Sequence, residues 1–174
     1  MQLEEDYKVE KMIREITPTA VKASKHKIHL PAYAFDKRLD TLAKAILAKD
    51  GISMKVWIEA DLGKNYFIYG VKIVARYYNG FFNPSSTCVA DMEAYRSCID
   101  KENNVRIGVW QDQQLVECGI LEMNYGLKQS DQTYTVPCNM EARAVRLYKD
   151  TEHIAVLEIV ILGVGNLVNF YLNS

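Results

Sequence analysis

The residues Val56-Trp57-Ile58-Glu59-Ala60-Asp61-Leu62-Gly63 (VWIEADLG), followed after a short gap by Ile68–Arg76 (IYGVKIVAR), decide the fold class. In the first run Val56, Ile58 and Ala60 alternate with Trp57, Glu59 and Asp61, the two-residue period of a strand with unlike faces. Gly63 breaks the alternation. The second run sets Ile68, Gly70, Lys72 and Val74 against Tyr69, Val71, Ile73 and Ala75 and is rich in β-branched residues. The intervening DLGKNY therefore reads as a turn between two paired strands.

Working outward, the same grammar continues downstream. Strands are expected at Val105–Gln111, Leu115–Met123, Gln132–Cys138, Arg143–Lys149 and Ile154–Leu162, punctuated by Gly, Asn and Pro, which reads as an antiparallel sandwich or barrel. Upstream, Ile16–Ser24 alternates weakly and Pro18 points to an edge or first strand. Gln2–Glu15, together with Ile16, places Leu3, Tyr7, Val9, Met12 and Ile13 near helical spacing, with acids early and bases late, predicting a short amphipathic helix; a frayed terminus or a linker from a larger polypeptide is the alternative. Lys25–Ser53 is polar and loop-like except for Thr41–Lys49 (TLAKAILAK), where Leu42, Ala45 and Ile46 predict one or two helical turns ended by Asp50-Gly51.

A chain of 174 residues suits one domain. The expected organisation is an N-terminal extension over 1–15, a β domain over 16–163 and a C-terminal extension over 164–174. The 21 basic and 22 acidic side chains nearly cancel, so no whole-chain field attracts nucleic acid. No apolar run is long enough to span a bilayer, and the charged start lacks the apolar centre of a signal peptide. Cys88, Cys98, Cys118 and Cys138 are even in number and fall in two sequential pairs, which favours disulfides and a secreted or extracellular chain. Zinc is a weaker alternative, since no CxxC is present and His26, His29 and His153 are distant in sequence; buried free thiols are another.

Catalytic motifs are missing: the chain has no phosphate-cradling glycine loop, no nucleophile elbow and no HExxH, and pairing all four cysteines leaves no thiol nucleophile. The expectation is a non-catalytic binding module. Two features suit binding. Asp36, Asp40 and Thr41 fall within a short loop where carboxylates and carbonyls can converge on calcium, the alternative being a capping Asp in a solvated run of charges. The long connection from Tyr77 to Asn104 gathers Tyr77, Tyr78, Phe81 and Phe82, with Cys88 and Cys98 placed to staple it. These aromatics could stack on a sugar, anchor a protein partner, or form a second small core.

The segments AFDKRLDT (34–41), VWIEADLGKNYFIYGVKIVAR (56–76) and AVLEIVILG (155–163) resemble the discoidin or coagulation-factor C-type domain. More narrowly, VECGILEMNYG (116–126) and QTYTVPCNMEARAVRLYK (132–149) are similar to F-type lectins, the fucolectins. The resemblance implies an all-β, eight-stranded antiparallel jelly-roll β-sandwich in which Trp57, Leu62 and Ile73 are scaffold. It implies a Cys118–Cys138 disulfide across neighbouring strands. It also implies ligand binding by loops at one end, with Arg76 as the first basic residue and His26 or His29 as the early histidine. Tyr78 stands where the family has Asp, and Asn83 where it has a second basic residue. A calcium loop of Asp36, Asp40 and Thr41, closed by Glu158, is implied as well, with Lys37 where the family usually has Gly. The expected partner is a glycan or glycoprotein. The alternative is a protein-binding module on the same scaffold, with its sugar site lost, engaging other chains of an extracellular assembly.

Overall fold

Among the described residues the chain forms eight strands, the longer ones rich in alternating β-branched and polar residues: β1 (Arg14–Ile16), β2 (Ala20–Ala23), β3 (Ala43–Ile46), β4 (Val56–Arg76), β5 (Val105–Gln111), β6 (Gln114–Leu121), β7 (Asp131–Lys149) and β8 (His153–Gly165). The computed structural model describes residues 12–26, 28–46, 56–76, 105–121, 131–150 and 153–165, with backbone alone at 75, 76, 131, 132 and 153. Every pairing is antiparallel, in the order β1-β8-β4-β7-β5-β6, with β2 added to β4 and β3 to β8.

The organising element is a long ribbon of β4 and β7, paired from Val56 opposite Lys149 to Arg76 opposite Asp131, with its main register shift between Asp61 and Tyr66. Before that shift β4 carries β2 on its other edge and β7 carries β5; beyond it β4 carries β8. The two halves of the ribbon thus belong to two layers. Their inner faces meet in one core, in which Val56, Ile58, Ile107, Leu147, Val71, Ile73, Ile159 and Ile161 are each 1% exposed or less. Each such side chain contributes ~1.5 to 3 kcal/mol by leaving water.

The DLG segment corrects the expectation of a turn between paired strands. The two runs flanking it do not pair with each other, because both find β7 as partner. Gly63 adopts φ +79°, the Asp61 carboxylate accepts its amide at 2.8 Å, and the chain bends without reversing. For the same reason the two strands expected at Gln132–Cys138 and Arg143–Lys149 are one strand, β7. Leu62 and Ile73 lie in the core, at 2% and 0% exposure. Trp57 does not: it shares the outer face with Glu59 and is covered there by the guanidinium of Arg146, 4.3 Å from its ring centroid.

A second correction concerns Thr41–Lys49. Residues 43–46 are a strand on β8, with Ala43 opposite Val156 and Ala45 opposite Ile154, and both alanines are fully buried. Pairing with a distant strand outweighs the helix preference of alanine. The early loop instead carries a 3-10 turn, Pro31–Phe35, entered through a proline. The expected N-terminal helix falls mostly outside the described residues, and its last residues, Arg14 and Glu15, belong to β1. Cys118 and Cys138 are joined between β6 and β7, with Cα atoms 4.7 Å apart. Cys88, Cys98, Tyr78, Phe81 and Phe82 lie outside the described residues.

Candidate functional site

The loop from Asp36 to Thr41 leaves the 3-10 turn and lies against β8. Its fold is local. The Asp36 carboxylate accepts the Arg38 amide at 2.9 Å, and the Thr41 hydroxyl sits 2.8 and 3.0 Å from its two oxygens. Lys37 takes the left-handed conformation, φ 60°, where a glycine would be free of strain. Its ammonium is turned outward to Glu15 at 3.5 Å, while its backbone amide donates to Glu158.

Glu158 is the buried charged residue among the described core, 6% exposed, and its Oε2 has no hydrogen-bond partner among the described residues. Burial pushes its carboxyl up to about 7; the charge of Asp36 adds to the rise and the Lys37 amide opposes it. Asp36, Thr41 and Glu158 are thus gathered around one loop. Asp40 departs from the expected grouping: both its oxygens are held by Arg38 in a two-pronged pair at 2.9 and 2.7 Å, directed to solvent. The Arg38 hydrogen bond holds the Asp40 carboxyl below its ordinary range. Among the described residues no three His, Cys, Asp or Glu side chains converge as metal ligands. The oxygen set is two carboxylates and a hydroxyl.

Beside this loop is a hollow of about 410 Å³ lined by His29, Tyr33, Leu39, Asp40, Thr41 and Leu157. His29, half-buried, contributes to it, whereas His26 is exposed and does not line it. Tyr33 escaped the sequence reading, although it lies in the PAYAF segment directly before AFDKRLDT's acidic loop. Arg76 closes β4 two residues beyond Val74, which is opposite Glu158, so its backbone belongs to the same end of the ribbon.

No protein-family model and no curated protein matches the sequence. Solved structures do match in shape. The family 32 carbohydrate-binding module of Clostridium perfringens NanJ, solved with galactose, is 10% identical, with a TM-score of 0.57 over 86% of this chain and 98% of that one. A Streptococcus pneumoniae fucose-binding module, SpX-3, is 13% identical, with a TM-score of 0.54 over 85% of this chain and 96% of that one. A truncated AlyQ with family 32 module and alginate lyase domains is 19% identical at a TM-score of 0.54; this chain is covered over 88% and spans 34% of that one. Eight antiparallel strands among the described residues, one shared core and these likenesses together identify the fold as the discoidin-like β-sandwich seen in family 32 carbohydrate-binding modules.

Proposed function

We propose that this chain is a non-catalytic, extracellular carbohydrate-binding module that holds its ligand at the loop end, in the manner of F-type lectins, over a calcium-supported loop. The observation that carries the reading is the hollow of His29, Tyr33, Asp40 and Thr41, placed on a fold whose neighbours include galactose- and fucose-binding modules. Tyr33 supplies a ring face, and His29 and Thr41 supply hydrogen-bonding groups for sugar hydroxyls. By the family resemblance Arg76 would be the cationic anchor, with Tyr78, Phe81 and Phe82 as the aromatic residues offered to the sugar. The Cys118–Cys138 bond supports an oxidising, extracellular compartment.

The loop's donors fit calcium. Asp36, Thr41 and Glu158 are hard oxygen ligands, and the partnerless buried Oε2 of Glu158 is the atom a cation would satisfy. Calcium bound there would fix the loop that floors the hollow. On a glycan array with calcium, galactose- or fucose-containing glycans are expected to bind, to be lost on chelation, and to weaken roughly tenfold with Tyr33→Ala or Arg76→Ala. Silence across the array in both conditions refutes the reading.

A specific observation favours the protein-binding alternative. Ile28, Leu30 and Leu39, near the same loop, are 80%, 42% and 53% exposed. Isolated apolar residues at a surface are ordinary, but three in one region suit a protein partner. Under that reading the array is silent and replacing these residues by Ser abolishes assembly.

A further inference from the structure

The bend of the β4–β7 ribbon holds a second arrangement, remote from the loop end. Nine residue steps along the strand lead from Asn65 at the bend to Val74 opposite Glu158, a path of roughly 30 Å. On the outer face of the sheet, Trp110 Nε1 donates to Glu59 Oε2 at 2.6 Å, and Arg146 Nε donates to the same oxygen at 2.6 Å. The Arg146 guanidinium lies 4.3 Å from the Trp57 ring centroid and 5.0 Å from that of Trp110. The Trp110 indole is therefore locked before any ligand arrives.

This fixed ring walls an open hollow of about 540 Å³, whose other members include Asn65, Gln111, Gln113, Glu141 and Arg143. The volume falls within the range of small-molecule sites. The Gln111 amide donates to the Glu141 carbonyl at 3.1 Å, and Arg143 pairs with Asp61 at 3.2 Å, so the rim is held as well.

The turn that delivers Gln113 is strained. Asp112 and Gln113 connect β5 to β6 at φ 46° and 67°, the pair of positive angles of a two-residue hairpin whose second position favours glycine. Gln pays a steric cost there, and its side chain is what the position gains.

We propose that this hollow is a second saccharide site, for a neutral pyranose, independent of the loop-end reading. The indole offers an apolar wall for the C–H face of a ring. The side-chain amides each donate and accept, and the Glu141 carboxylate accepts, which matches vicinal hydroxyls. Among the described lining residues the charge balance disfavours acidic sugars: Asp112 and Glu141 are present, while the cation, Arg143, is already engaged by Asp61. Two sites on one module, far apart, would hold a branched or multivalent glycan by avidity rather than by a single tight pocket.

The test is nuclear magnetic resonance titration of the full chain with galactose, fucose and N-acetylgalactosamine, and with galacturonate as the anionic contrast. Shifts of the Trp110 indole N–H and of the Gln111 and Gln113 side-chain amides with a neutral sugar, absent with galacturonate, are expected. Gln113→Gly relaxes the turn, so the fold survives, yet affinity at this site should fall roughly fivefold, about the worth of one hydrogen bond. Unshifted Trp110 with every sugar, or unchanged affinity in Gln113→Gly, overturns the proposal. Shifts confined to His29 and Tyr33 overturn this site and keep the loop-end reading, and shifts confined to Trp110 do the reverse.

Discussion

Glu158→Gln is the substitution that reports most directly on the loop. The folded state raises this carboxyl from 4.5 to about 7, chiefly because it is buried. At 1.36 kcal/mol per pH unit the difference amounts to about 3 kcal/mol. The folded protein holds the proton more tightly than the unfolded chain, so this contribution is complete below pH 4.5, declines between 4.5 and 7, and is gone above. With calcium chelated, the wild type should lose about 2 to 3 kcal/mol relative to Glu158→Gln between pH 5 and 8, since glutamine has no proton to lose. For a chain of this length that is a relative fall in melting temperature of about 5 to 10 °C. The assay is thermal unfolding of both proteins across that range; the difference between the curves removes every group they share, including the histidines. Parallel curves, or a wild type that gains on the variant as pH rises, refute the burial argument. Calcium added at pH 8 should restore the wild type and leave the variant unchanged, because the amide carries no charge for the ion. A wild type indifferent to calcium refutes the metal and leaves the titration standing.

Three further outcomes follow from the packing. Gly163→Ala would set a methyl carbon 2.5 Å from the Phe67 carbonyl oxygen and 2.6 Å from Ile16 Cδ1. A backbone carbonyl cannot move aside cheaply, so a loss of about 2 to 3 kcal/mol is expected in urea unfolding, and a neutral result contradicts the β4–β8 register. Arg146→Ala should cost about 1 to 3 kcal/mol and red-shift tryptophan fluorescence, because it uncovers two rings and removes one of the two described donors to Glu59. Replacing Cys118 and Cys138 together by Ser should cost about 3 kcal/mol for a separation of 20 residues, measured by urea unfolding without reductant; equal stability would mean that the thiols are unbonded.

Strand β5 was legible to the residue, Val105–Gln111, because a half-buried strand carries its own period. Strand β3 was not, because alanine and leucine favour a helix locally, while what makes residues 43–46 a strand is Val156 and its neighbours, more than a hundred positions away. The DLG segment misled for a related reason. A glycine at positive φ is equally a hairpin and a bulge, and the choice depends on whether the partner is near or far in sequence. The loop end divides the same way. Asp36 and Thr41 are five residues apart and could be read together, whereas Glu158 joined them only through the family resemblance.

The outer face of the sheet was missed altogether, since Glu59 meets Trp110 and Arg146 across separations of 51 and 87 residues. A signal was nonetheless present. In VWIEADLG the alternation that buries Val56, Ile58 and Ala60 necessarily sends Trp57 outward with Glu59 and Asp61. An indole on a polar face must be shielded by a neighbouring side chain or left available to a ligand. Arg146 shields Trp57 and shares itself with Trp110, and the ring of Trp110 that also faces the hollow is left as the surface on which a sugar can sit.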